Sequence, residues 1–281
     1  MKDQQSLWMK LEKTVGLQKL IALIALIVIF GFFAISSESF RSFDTAVSIL
    51  DASYYIGFLA IGVTFVIITS GIDLSIGTVM MCSAIIGGVL HTKLGWPLWL
   101  SLLAILVIGG VFGLFNGILI AKFGLPPFIA TLGTMMISRG LSSIVSNVQS
   151  VTFPLRGTGE GWYKDLFRTK ENFPTGLIVL IIIAIIAAIV LNKTKIGRYI
   201  FAIGSNKEAT RLSGVNVIKW EAMAYVISGL FAGLAGIAYA ATYSTILPGT
   251  GNGMELDAIA GVVVGGTSLA GGVGSVLGTI I

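Results

Sequence analysis

Asp73 stands in the segment Ser70-Gly71-Ile72-Asp73-Leu74-Ser75-Ile76-Gly77, with a long apolar run on either side. A carboxylate at the centre of an inserted helix costs about 2.5–3.5 kcal/mol, so its presence demands a reason. Glycine can interrupt a helix there, and Asp73 or Ser75 can cap the N-terminus of the run that follows. Two roles are open to this carboxylate: a cap close to one membrane face, or direct contact with a polar solute. Gly249-Thr250-Gly251-Asn252-Gly253-Met254-Glu255-Leu256-Asp257 has the same outline, with glycines and then carboxylates ahead of an apolar run. Glu255 and Asp257 can line a mouth or cap the next helix, and paired breaks of this kind can mark repeats in transporters. Asn116, Thr131, Thr134 and Ser138 fall inside other apolar runs, where their side chains bond either a solute or a neighbouring helix.

The run Gly265-Gly266-Thr267-Ser268-Leu269-Ala270-Gly271-Gly272-Val273-Gly274 invites comparison with a phosphate loop, but it lacks the Gly-Lys-Ser/Thr ending. No such motif occurs elsewhere in the chain, so no ATPase is recognisable. A glycine-rich break within an apolar segment points instead to a discontinuous or re-entrant helix, covered by protein or lining a cavity. No Ser/His/Asp constellation or metal-ligand cluster is evident, which leaves an integral-membrane enzyme with little support. The lone Cys82 excludes an intramolecular disulfide, and the lone His91 lies at a helix end.

The elements that must position these groups are membrane helices. Of the 281 residues 55% are hydrophobic and only 11% are charged, against about a quarter in a water-soluble domain. Residues 94–121, 222–254 and 258–281 carry no Asp, Glu, Lys or Arg, and each run exceeds the roughly 20 apolar residues needed to cross a bilayer. Long runs rather than alternating ten-residue strands exclude a β-barrel. The net charge of +5 is spread over loops, which argues for membrane topology and against nucleic acid as a partner. Spans are predicted at 17–36, 49–70, 75–93, 97–121, 127–149, 174–192, 221–244 and 257–281, an all-α polytopic bundle of about eight helices. The first is read as an uncleaved helix rather than a signal peptide. Gly229-x-x-x-Gly233 favours close helix contact in lipid. The chain stops inside an apolar, glycine-rich run, and the expectation is that its C-terminal end is missing.

Charge sets the orientation, because Lys and Arg resist translocation. Residues 1–19 carry four basic residues against two acidic, and 193–221 carry six against two, so both are expected to be cytoplasmic. Residues 36–53 have Arg41 against Glu38, Asp44 and Asp51 and should face outward. The parity of spans then puts 150–173 outside, as an aromatic interfacial segment or a docking surface. It also puts the Asp73 and Glu255 breaks at opposite depths.

The stretch from Gly197 to Val217 is a compact basic island between apolar helices. Here the chain resembles the permease subunits of bacterial ABC importers for ribose, xylose, galactose and related sugars. The resemblance is carried by Thr69-Ser70-Gly71-Ile72-Asp73-Leu74-Ser75, by Leu125-Pro126-Pro127-Phe128-Ile129-Ala130-Thr131-Leu132-Gly133-Thr134 and by the Gly204 to Val217 island. Glu255-Leu256-Asp257-Ala258-Ile259-Ala260, continuing through Gly265 to Gly272, completes it, and the motifs run in the family's order from residue 50 to the end. The resemblance implies one transmembrane permease domain over 1–281 in the bacterial inner membrane, importing a ribose-like monosaccharide.

It further implies a second permease copy or paralogue, an extracytoplasmic sugar-binding protein, and a separate ATP-binding subunit that holds ATP and Mg; no cofactor is expected in this chain. Within 193–220 the coupling loop would be formed by Gly204, Asn206, Ala209, Thr210, Arg211, Leu212 and Gly214. Asp73, Ser75, Asn116, Thr131, Glu255, Asp257, Thr267 and Ser268 are the candidates for the substrate pathway. Two alternatives remain: an ion-coupled secondary transporter using Asp73 or Glu255, or the same importer family with a nucleoside, polyol or furanose signalling molecule as solute.

Overall fold

The computed structural model describes residues 17–169 and 173–280. Most of the predicted cytoplasmic N-terminus, 1–16, and residues 170–172 of the predicted external loop lie outside the described residues. The helices are α1 (Leu17–Ser36), α2 (Phe43–Ile68), α3 (Ile76–Thr92), α4 (Leu98–Gly117), α5 (Pro127–Ser146), α6 (Lys164–Phe167), α7 (Thr175–Lys193), α8 (Lys195–Ser205), α9 (Lys207–Leu212), α10 (Val217–Tyr243), α11 (Met254–Val264) and α12 (Val276–Ile280). Two short strands, β1 (Val151–Thr152) and β2 (Thr245–Ile246), pair antiparallel, with Val151 opposite Ile246 and Thr152 opposite Thr245.

Local chemistry sets the boundaries. The Ser42 hydroxyl accepts the Thr45 amide to start α2, and Asn216 accepts the Lys219 amide to start α10. Pro127 stands in the first turn of α5, where its missing N–H costs nothing. At its other end α4 runs into a π turn, Ile118–Lys122.

Among the described residues five helices are long and apolar enough to cross a membrane: α2, α4 with its π turn, α5, α7 and α10. Ile24–Ser36 of α1 and the whole of α3 are apolar but shorter. The segment predicted as one span at 257–281 is instead broken. The 11 residues of α11 advance about 16 Å, half of the roughly 30 Å hydrocarbon core. Positive φ values at Gly266, Gly271 and Gly272 then turn the chain, which begins α12 at Val276. Gly274 lies against the Ile68 side chain, and the Thr279 hydroxyl is 3.1 Å from that of Thr64, so α12 runs back along α2, away from Ile68. The anticipated discontinuous helix is therefore a half-length hairpin.

α10 is the central element, lying along α4 and α2. Its contact with α4 is a seam of small residues. A Cβ at Gly109 would stand 2.2 Å from the Gly229 carbonyl oxygen, and one at Gly229 would stand 2.2 Å from the Gly109 carbonyl oxygen. Gly113 approaches the Tyr225 carbonyl equally closely, and Gly117 meets Ala222. Backbones in such contact gain dispersion energy and relinquish no side-chain entropy, which substitutes in lipid for the absent hydrophobic drive. The Gly229-x-x-x-Gly233 pattern thus marks one half of a seam whose other half is Gly109-x-x-x-Gly113.

Candidate functional site: a buried polar relay and two glycine breaks

The turn between α2 and α3 brings Asp73 inside the bundle. Ser70 adopts a φ of 64° just after α2, and the chain then runs irregularly to Ile76. The carboxylate accepts three hydrogen bonds: from the Ser75 amide at 3.0 Å, the Ser75 hydroxyl at 2.6 Å and the Ser228 hydroxyl of α10 at 3.0 Å. The Ser75 oxygen in turn accepts Asn116 Nδ2 of α4 at 2.9 Å, and Asn116 Oδ1 accepts the Thr134 hydroxyl of α5 at 2.5 Å. Every donor in the chain Thr134, Asn116, Ser75, Asp73 points toward the carboxylate, and Ser228 closes it from the far side. All five side chains are at most 1% exposed. An acceptor-only carboxylate suits a site that offers it three donors.

Depth matters to the reading of this group. Ser228 lies about 16 Å along α10 from Val217 and about 22 Å from Tyr243, so Asp73 sits well inside the bundle rather than at its face. It therefore does more than cap α3: it joins the α2–α3 turn to α10, and through Ser75 to α4 and α5. Near it, the Ser138 hydroxyl of α5 donates to Thr78 of α3 at 2.8 Å. Thr131 is buried but spends its hydroxyl on Pro127 of its own helix.

The second glycine break comes to the first. Gly251 lies so close to Gly77 that a Cβ on either would stand 2.3–2.4 Å from the other's carbonyl oxygen. This corrects the expectation of opposite depths, because Gly77 lies only two residues beyond Ser75. Buried Glu255 reaches back to accept the Gly253 amide at 3.0 Å, so it caps α11, and it also lies beside Gly77. Asp257 is exposed and away from the relay. Thr267 and Ser268 fall in the glycine loop after α11, where Thr267 packs on Gly274 and Ser268 accepts the Ala270 amide. Asp73, Ser75 and Asn116 are thus brought together, with Glu255 close by, whereas Thr131, Asp257, Thr267 and Ser268 stand apart from them.

Two residues escaped the sequence reading. Ser228 lies in a run of small residues that reads as helix contact, with nothing to distinguish it from Gly229 or Ala232. Arg139 had a usable signal, as the single cation inside α5, where a charge is costly. Its Nε donates to the Gly249 carbonyl at 3.2 Å, and Ser142 one turn on accepts the Gly249 amide at 3.0 Å. Together they hold the 247–253 loop onto α5.

The basic island forms α8 and α9 at the end of the bundle opposite the β1–β2 pair. Asn206 caps α9 by accepting the Ala209 amide at 2.8 Å, and Gly214 takes a φ of 81° just after it. Arg211 grips Glu208 through two nitrogens, so the Glu208 carboxyl is held below its usual range by that hydrogen bond. Leu212 is 76% exposed and Thr210 is buried. Lys207 of α9 pairs with buried Glu221 of α10 at 2.7 Å. Gly204 of α8 approaches Ile68 too closely for any side chain, and the Gly272 amide donates to the same Ile68 carbonyl at 2.9 Å. Ser70 adds a bond to Ala270 at 2.8 Å. The island is thereby tied to the ends of α2 and α10 and to the glycine loop.

A helical membrane bundle with paired helix breaks and a compact polar segment at one end suits a transport permease, and the family comparison assigns the chain to that class. The chain belongs to the family described as branched-chain amino acid transport system / permease component, whose model matches residues 45–281. Among curated proteins it is similar to the ribose import permease protein RbsC of Escherichia coli strain K12, 38% identical over 264 residues that cover 92% of this chain and 81% of that one. It is similar also to the fructose import permease protein FrcC of Rhizobium meliloti, at 35% identity over 93% of this chain and 73% of the relative. The xylose transport system permease protein XylH of Haemophilus influenzae is 31% identical, over 96% of this chain and 87% of the relative. No solved structure matches the chain.

Proposed function

We propose that this chain is the membrane-spanning subunit of an ATP-powered importer of a ribose-like monosaccharide in the bacterial inner membrane. The observation that carries the reading is the similarity, over nearly the whole chain, to permeases named for ribose, fructose and xylose. In this reading α1–α5, α7 and α10 cross the membrane, the α11–α12 hairpin is the eighth, half-inserted segment, and the N-terminus and the α8–α9 island face the cytoplasm. The whole chain serves as one permease domain, paired with a second permease, and an external binding protein delivers the sugar to the 150–173 face. ATP and Mg are held by a separate subunit, which docks on α9 with Leu212 as its apolar contact.

Motion imposed on α9 would reach α10 through Lys207 and Glu221, and α10 carries Ser228 on Asp73. Both coupling sites must bias the same two conformations for ATP to drive transport. The test is uptake into vesicles holding the permease, its ATPase and its binding protein. Arg211→Glu and Lys207→Glu are each expected to abolish ATP-driven uptake with membrane insertion intact, and Glu221→Lys is expected to restore it in the Lys207→Glu background. Normal uptake by the single variants, or uptake that follows an ion gradient without the ATPase, would overturn the proposal.

A further inference from the structure

A cavity of about 420 Å³ opens beside the β1–β2 pair, lined by Tyr239, Thr245, Leu247, Thr250, Gly251, Asn252 and Met254. Its volume lies in the roughly 300–1,000 Å³ range of small-molecule sites. We infer that this cavity is a solute-receiving subsite for a neutral, polyhydroxylated molecule, set immediately above the Gly77–Gly251 contact that separates it from the Asp73 relay. The inference rests on the importer reading for its orientation, with the cavity on the outer side.

Three observations support it. First, the lining carries no formal charge but does carry an aromatic ring, an amide and three hydroxyls. Tyr239 is held in place by ring contacts with Tyr55 at 5.1 Å and Tyr243 at 4.6 Å, which makes a rigid apolar wall with polar tips. The Asn252 side chain is exposed and has no hydrogen-bond partner among the described residues, so both its donor and its acceptor are available. Such a surface matches a sugar, with C–H groups against the ring and hydroxyls on the amide. A zwitterionic amino acid, the solute class in the family's description, would find no counter-charge on these walls.

Second, the cavity is built and held. Arg139 and Ser142 fix the carbonyl and amide of Gly249, two residues before Gly251, so the position of the loop is set by α5. Third, the floor is a close backbone contact between two glycines, with the Met81 and Glu255 side chains packed against it. Gly77 and Gly251 seal the base by direct approach, and Gly251, with a φ of 97°, adopts a conformation that side chains rarely take. Movement of α3 against the loop opens that contact and carries Met81, one turn along α3, away from Gly251, and the next polar groups inward are Glu255 and then Ser75.

The experiment labels Leu247→Cys from outside with a membrane-impermeant maleimide, in proteoliposomes of the full-length permease. Leu247 is 58% exposed at the cavity wall, and the chain's only cysteine, Cys82, is buried and silent. At roughly ten times its dissociation constant, D-ribose is expected to slow labelling about tenfold by simple occupancy. L-Leucine is expected to leave the rate unchanged, and Asn252→Ala or Tyr239→Ala to remove the protection, each measured against that variant's own rate without sugar. Absence of ribose protection, protection that survives both substitutions, equal protection by leucine, or failure of the outer reagent to reach Leu247→Cys would each overturn the subsite. Because labelling uses neither ATP nor the ATPase, its failure leaves the importer reading standing, and failure of ATP-driven uptake leaves this result standing.

Discussion

Asp73 and Ser228 are 155 positions apart in sequence, and the Ser228 hydroxyl donates to the Asp73 carboxylate at 3.0 Å inside the bundle. The bond fixes the α2–α3 turn against α10, and the same carboxylate anchors α4 and α5 through Ser75 and Asn116. Hydrogen bonds to a charged group contribute about 1.5–3 kcal/mol, and each buried donor left without an acceptor costs about 1–3 kcal/mol.

Asp73→Leu is therefore expected to be severely destabilising, because the Ser75 amide, the Ser75 hydroxyl and the Ser228 hydroxyl all lose their acceptor. Asp73→Asn should be milder. Its oxygen can serve the Ser75 amide, while the Ser228 hydroxyl can turn to accept from the new NH₂ group. Thermal unfolding of the detergent-solubilised protein should rank Asp73→Leu well below Asp73→Asn, with Ser228→Ala the least affected. Adding Ser228→Ala to Asp73→Leu should cost little more, since residues in one network are non-additive. Additive losses, or an Asp73→Leu protein as stable as the parent, would show that the relay does not hold the helices together.

The α4–α10 seam makes a prediction of opposite kind at neighbouring glycines. Gly113→Val would drive a Cβ into the Tyr225 carbonyl, 2.2 Å away, and Gly229→Val would do the same at Gly109. Backbone cannot yield as a side-chain end can, so the cost should exceed the 1–3 kcal/mol or so typical of overpacked cores. Gly133 and Gly140, on α5, would meet nothing within 4 Å. Gly133→Ala and Gly140→Ala should be neutral or add about 0.5–1 kcal/mol through helix propensity. The yield of monodisperse protein after extraction distinguishes the two classes, and equal tolerance at all four positions would sink the account of the seam.

Much of this arrangement was legible in the sequence, for reasons that also explain the failures. Apolar length reports a crossing helix directly, so α2, α4, α5, α7 and α10 were found within a few residues except for the early start of α2 at Phe43. Composition says the same of 257–281, yet there the backbone turns at Gly266, Gly271 and Gly272. Glycine in a membrane helix serves contact as often as it breaks the helix, and only the tertiary partner decides: Gly109 and Gly229 are straight contacts, whereas Gly271 is a turn. The relay was half legible. Asp73 and Asn116 stand out by polarity in apolar runs, but that they meet through Ser75 depends on how α4 faces the α2–α3 turn, which periodicity does not fix. The two glycine breaks seemed to lie at opposite depths because a full-length eighth span was assumed, and a hairpin that begins mid-bundle removes that premise.

Lys164 gives a pH prediction outside the spans. It lies in the 150–169 segment, where its ammonium meets the Ser244 hydroxyl and the Ala240 carbonyl at the end of α10. Burial, together with the charge of Arg168, lowers its pKa to about 8, against about 10.4 in an unfolded chain. Below pH 8 both states carry the proton, and the folded state bears the full cost of the buried charge. Between pH 8 and about 10.4 the folded protein sheds the proton while the unfolded chain retains it, so this group makes stability rise with pH. The melting temperature of the parent protein relative to Lys164→Met should therefore climb over that window and flatten below pH 7. The comparison cancels the other groups that titrate in the same range. A difference that stays constant, or that falls as pH rises, would show that Lys164 keeps its proton and that its bonds to α10 outweigh the cost of burial.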